Sequence, residues 1–154
     1  MAGYYFDSSA LVKRYAYESG TDWVLRVTDP TSDNEIVVAR IAGAEVLAAI
    51  VRKQRAGEVS GIQAQQAVAD FEADFETEYD VIEVTPAVVM RAMDLIKRYG
   101  LRGYDSIQLA CAMEVNEVRL LVGLASLVFV SADGRLNEVA RAEGLPVEDP
   151  SAQG

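Results

Sequence analysis

The stretch YYFDSSALVKRY (residues 4–15) runs three consecutive aromatics into an aspartate, follows with two serines, and then turns helical. A strand that looks buried and ends on a carboxylate needs a reason, because an isolated buried charge is very costly. Asp7 is therefore capped, paired or metal-bound. Strand 3–7 and a helix over 9–19, with Ser8 or Ser9 able to cap it, are the first two predicted elements.

Outward from this stretch the same alternation repeats. Gly20 closes the first helix, residues 21–29 read as a second, and PTSDN (30–34) is a turn cluster. EIVVARI (35–41) has the β-branched run of a strand, followed by a helix over 42–57 and another over 61–80. A third strand is predicted at 81–86, stopped by Pro86, then helices at 87–100 and 104–117. LVFVSAD (127–133) is a fourth strand, 134–144 a short helix, and 145–149 an edge strand; 118–126 extends the preceding helix or forms an apolar connector. Strands alternating with helices predict an α/β fold whose central parallel sheet of four to five strands is covered on both faces. In such sheets ligands bind at the carboxyl ends of the strands, where both Asp7 and Asp133 are expected. A chain of 154 residues, half of them apolar, predicts a single domain, 1–149, with a short tail at 150–154.

Composition narrows the chemistry. The formal net charge is −10 and there is no histidine, which removes histidine-based triads and ordinary zinc sites with histidine ligands. The lone cysteine, Cys111, cannot form an intrachain disulfide or a thiolate zinc site, and it suits a reducing cytoplasm. Any metal would be a hard cation held by oxygen, Mg²⁺ or Mn²⁺. The longest uncharged run, LLVGLASLVFVSA (120–132), is too short to cross a bilayer, and no signal peptide is seen. Net acidity argues against a broad basic nucleic-acid face, but not against an acidic site that recruits metal to meet phosphate.

Four acids stand in apolar or small-residue settings: Asp7, Glu45 in IAGAEVLAAI, Asp105 in YDSIQLACA, and Asp133 at the end of LVFVSAD. Singly, Asp7, Asp105 and Asp133 read as helix N-caps, and Glu45 as a solvent-facing helix position near Arg52 or Lys53. Jointly, two carboxylates at strand ends and two on adjacent helices converge over one sheet edge, where mutual repulsion calls for a divalent cation. Ser9 and Ser106 are caps or orient the carboxylates by hydrogen bonds. Lys13, Arg14, Arg98, Arg102 and Arg135 lie near these acids in sequence and are expected to place a phosphate backbone there, unless they are simply solvated.

YYFDSSALVKRY, AEVLAAI (44–50), YDSIQLACA (104–112) and VSADGRLNEVARAEGL (130–145) together resemble, in order and context, the four acidic motifs of the PIN domain. The likeness is greatest to VapC-type toxins of bacterial and archaeal toxin–antitoxin pairs, and it runs from about residue 3 to 147. The resemblance implies a three-layer α/β/α fold and a Mg²⁺- or Mn²⁺-dependent endoribonuclease, usually a homodimer, inhibited by a small antitoxin. It implies Asp7, Glu45, Asp105 and Asp133 as metal ligands and catalytic residues, with Ser9 in support. The sequence departs from the pattern at Gln108, where many relatives carry histidine, and over 117–126, which is longer and more apolar. Two rivals are a catalytically silent PIN-like protein-binding module, docking through helices 42–57 and 61–75, and a phosphatase with a nucleophile at Asp7. DSS argues against the phosphatase, because it lacks a second aspartate two residues on.

Overall fold

The computed structural model describes residues 2–153. Among these, five strands form one parallel sheet: β1 (Gly3–Phe6), β2 (Glu35–Ala39), β3 (Asp80–Ile82), β4 (Val128–Val130) and β5 (Val147–Glu148), in the order β3-β2-β1-β4-β5. The helices are α1 (Ser8–Leu11), α2 (Thr21–Thr28), α3 (Ala42–Arg55), α4 (Gly61–Thr77), α5 (Pro86–Tyr99), α6 (Gly103–Leu121) and α7 (Gly134–Ala142). The chain winds from β1 outward through β2 to β3, then returns to pair β4 on the other side of β1. The strand order therefore reverses between β1 and β4, which is where an open parallel sheet leaves a crevice at its carboxyl edge.

The central strands are buried on both faces, and their alternation sorts the core into two layers. Tyr5, Val37 and Phe129 point to one side, against Val88 and Leu95 of α5, Leu109 of α6 and Leu136 of α7. Phe6, Val38 and Val130 point to the other, against Leu11, Val24, Val46, Ile50 and Phe71 of α1 to α4. Neighbouring residues on one strand thus serve opposite helical layers, and the result is the expected three-layer α/β/α sandwich.

Several boundaries differ from the sequence reading. The helix expected over 9–19 is only α1 followed by a single 3-10 turn, Val12–Arg14. The Lys13 carbonyl accepts from the Thr21 hydroxyl at 2.8 Å, and the Lys13 ammonium donates to Glu18 and to the Ser19 carbonyl, so the chain turns back before a helix can propagate. Pro86 starts α5 rather than stopping β3. Thr85 caps the helix by accepting from the Val88 N–H, and proline at the first helical position loses no hydrogen bond. The ambiguous stretch 118–126 is helix to Leu121, then a turn at Gly123, whose φ is +82°. Asn116 accepts from the Leu127 N–H at 2.7 Å and Arg119 donates to the Ala125 carbonyl, which draws the connector back toward β4. The expected tail packs down too: Pro150 is buried, and a Cβ on Gly20 would stand 2.5 Å from its carbonyl oxygen. Met1 and Gly154 lie outside the described residues.

Candidate active site

Asp7, Glu45, Asp105 and Asp133 all line one cavity of about 710 Å³ at the carboxyl edge of the sheet. Each arrives from a different element: Asp7 from the end of β1, Asp133 from just beyond β4, Glu45 from the first turn of α3, and Asp105 from the first turn of α6. Val89, Met93 and Ile96 of α5 form an apolar wall beside them, and Arg52 and Arg102 reach the rim.

The cap reading holds for Asp7 and Asp133 and fails for Asp105, and the solvent-facing reading of Glu45 fails as well. Asp7 caps α1, accepting from the Ala10 N–H at 3.0 Å, and Asp133 caps α7, accepting from the Leu136 N–H at 3.0 Å. Asp105 lies inside its helix, whose N-cap position is Arg102, and so caps nothing. Glu45 is half-buried rather than solvent-facing, and it is held by two donors. Capping also leaves one oxygen of Asp133 for other partners.

Asp7 is the most deeply placed acid, 4% exposed. The Ser9 hydroxyl donates to its Oδ1 at 2.7 Å and the Ser131 hydroxyl to its Oδ2 at 2.6 Å. Each serine oxygen already accepts a backbone N–H, from Ala132 and Asp133 respectively, so its single proton is free to point at Asp7. Burial nevertheless pushes the Asp7 carboxyl from 3.8 up to about 6; the hydroxyl and N–H donors pull against this, and the charge of Asp105 adds to it.

Glu45 is oriented through Gln108. The buried Tyr5 hydroxyl donates to Gln108 Oε1 at 2.6 Å, which fixes the amide so that its Nε2 faces Glu45 at 2.7 Å and Ser8 at 3.1 Å. Ser8 also donates to Glu45 at 2.8 Å. Gln108 thus bridges the core of β1 to a cavity carboxylate. Ser106, by contrast, is spent on the Gly103 carbonyl.

The expected cluster of phosphate-placing cations is mostly dispersed. Lys13 pairs with Glu18, and Arg14 with Asp74 and Glu78 while donating to the Tyr79 hydroxyl. Arg98 pairs with Asp94 and Glu143, and Arg135 with Glu138 and the Tyr99 carbonyl. Lys53 is likewise committed, to Glu18 and Glu58. Arg102 reaches the acids directly, with Nε 3.0 Å from Asp105 Oδ2 and Nη2 3.3 Å from Asp133 Oδ2.

The sequence singled out the four acids and Ser9 but passed over Ser131, and it weighed Ser8 only as a cap. Ser131 carried a usable signal, two residues before Asp133 at the end of an apolar strand. The Tyr5–Gln108–Glu45 link carried none, since it joins residues 103 and 63 positions apart.

The PIN-domain family model matches residues 4–142. The chain belongs to the PIN-domain family. Two relatives of this PIN domain, ribonuclease VapC45 and ribonuclease VapC49 of Mycobacterium tuberculosis, are each 31% identical to it over 143 residues, covering 93% of this chain and 92% of their own. Its fold is also that of a chain in the crystal structure of VapBC2 from Rickettsia felis bound to a DNA fragment from its promoter, with a TM-score of 0.62 at 14% identity over 95% of this PIN domain and 97% of that chain.

The donor set suits a hard divalent cation: four carboxylates, and no histidine in the whole chain. Among the described residues no three such side chains already meet as a ligand cluster. Two of the acids instead share the Arg102 guanidinium, and the third, Asp7, is a buried carboxyl raised by burial and by Asp105.

Proposed function

We propose that this PIN domain is a Mg²⁺- or Mn²⁺-dependent endoribonuclease and the toxin of a toxin–antitoxin pair. The observation that carries the reading is the convergence of Asp7, Glu45, Asp105 and Asp133 on one cavity at the switch point of the sheet. The two ribonuclease relatives support RNA as substrate, and the VapBC2 likeness fits a small antitoxin as partner. We take residues 1–149 as one catalytic domain, working as a homodimer in the cytoplasm; among the described residues no helix is long and apolar enough to cross a membrane.

In this reading the four carboxylates hold the ion, with Asp7 innermost. Held by these carboxylates, a divalent ion would supply polarisation of the scissile phosphate and a lowered pKa for a water. The protein does the rest by placement. Ser9 and Ser131 keep both Asp7 oxygens aimed and partly offset the burial of its charge. Gln108 and Ser8 keep Glu45 turned into the cavity. Arg52, which has no carboxylate partner among the described residues, stands on the rim where the phosphate backbone would pass.

Purified protein freed of any partner should cut single-stranded RNA with Mg²⁺ or Mn²⁺ and stop when EDTA is added, and Asp105→Asn should abolish the cutting. Cleavage that survives EDTA or Asp105→Asn defeats the reading. Absence of cleavage under every metal condition leaves the silent binding module standing instead.

A further inference from the structure

The four acids do not face the cavity unaccompanied: Arg102 already bridges two of them. Its guanidinium joins Asp105, in the first turn of α6, to Asp133, the N-cap of α7, so it ties together two elements distant in sequence. It does so with specific oxygens. Asp133 Oδ1 is spent on capping Leu136, and Oδ2, the oxygen left over, is the one Arg102 takes. Asp105 also offers its Oδ2. These outward oxygens are the ones a cation entering the cavity would use.

We propose that Arg102 is a positioning residue and the resident counter-ion of this site: it holds Asp105 and Asp133 side by side in the metal-free protein, and a divalent cation must displace it to load. The inference rests on the metal-dependent reading above. Three properties of the residue carry it. Arginine stays charged and has no lone pair to offer a metal, so the same carboxylate oxygens serve either the guanidinium or the ion. The Arg102 side chain is 80% exposed against 24% and 27% for its two partners, so it can swing into solvent while they stay in place. Its side chain makes no capping bond at the start of α6, where only its backbone carbonyl accepts from the Ser106 N–H, so the helix does not depend on the guanidinium. Arg102 thereby sets the metal concentration at which the site fills, and a freed guanidinium remains at the rim near incoming phosphate.

The test is calorimetric titration of Mn²⁺ into the full chain, wild type beside Arg102→Gln, Arg102→Lys and, as a control away from the cavity, Arg98→Gln. Exposed ion pairs are weak, so the expected gain is modest: Arg102→Gln should bind Mn²⁺ roughly two- to tenfold more tightly. Arg102→Lys should fall between, because one ammonium replaces the two-armed bridge, and Arg98→Gln should match wild type. Raising the salt should shrink the difference, since screening weakens the competitor. An unchanged or weaker affinity in Arg102→Gln overturns the inference while leaving metal-dependent cleavage intact. If neither wild type nor any variant binds Mn²⁺, the metal-dependent reading itself fails, and this inference falls with it.

Discussion

The Ser131 hydroxyl stands 2.6 Å from Asp7 Oδ2 and donates to it, which ties the ends of β1 and β4 together at the centre of the sheet. The bond crosses the point where strand order reverses. It makes the geometry of the deepest carboxylate a property of two strands rather than of one loop, and it leaves that carboxylate under tension between its donors and its burial.

That tension gives a pH dependence. Burial raises the Asp7 carboxyl from 3.8 to about 6, so between these values the folded chain holds a proton that the unfolded chain has released. The stability carried by this proton is fully present below pH 3.8 and is lost as pH rises through 6, a loss of about 3 kcal/mol. Asp7→Asn removes the charge and keeps an amide that caps about as well. In EDTA the variant should be more stable than wild type by about 1–3 kcal/mol at pH 8, with the gap closing toward pH 4. Thermal melts at the two pH values check this. A variant equally destabilised at both would contradict it.

Metal binding should follow the same proton. In the proposed metal-dependent reading, stabilisation by Mn²⁺ requires Asp7 to be ionised. The rise in melting temperature on adding Mn²⁺ should therefore be larger at pH 7.5 than at pH 5.5, and Asp7→Asn should flatten the difference. An equal rise at both pH values in wild type would place the metal away from Asp7.

Gln108 should matter for two separable reasons. Replacing it with leucine leaves the buried Tyr5 hydroxyl without its acceptor, a cost of about 1–3 kcal/mol, and removes one of two donors to Glu45. Adding Tyr5→Phe should recover most of the stability, since both partners of the lost bond are then gone. RNA cleavage should stay low in the double variant. Full cleavage there would show that Gln108 packs but does not position.

Arg14 is the opposite case. Its guanidinium sits among Asp74, Glu78 and the hydroxyl of Tyr79 and does not line the cavity. Arg14→Leu should cost about 1–3 kcal/mol, because acids placed to meet a half-buried charge lose it, while RNA affinity measured in Ca²⁺ stays within about twofold of wild type. A large loss of affinity would return Arg14 to the list of phosphate contacts.

The reading from sequence succeeded where physics acts locally. The strands are apolar runs bounded by breakers, and the four acids stood out by their apolar or small-residue surroundings. It failed where a distant group decides. The first helix stops early because Thr21 claims the Lys13 carbonyl, and Lys13 and Arg14 leave the site because Glu18, Asp74 and Glu78 capture them. Asp74 and Glu78 lie far outside the window that helical periodicity inspects, and Glu18 and Thr21, though near in sequence, make these contacts only because the chain turns back after Arg14. Gln108 is the sharpest instance, marked by the sequence as a departure and found by the structure to be the hub between Tyr5 and Glu45.

Helix α6 also acts as a ruler. Near its start Gln108 reaches the carboxylate cavity. Near its end the buried Arg119 pairs with Glu35 at the opposite edge of the sheet, so close to Gly3 that a Cβ there would meet the guanidinium at 2.6 Å. Eleven residues separate the two, three turns to within about 20°, so both face the sheet. One residue inserted between them would swing one end by about 100°. Either the glutamine would leave Glu45 or the arginine would leave Glu35, so the length of this helix is fixed at both ends at once, whereas the turns at Gly57 and Gly123 have open space around them and are free to lengthen.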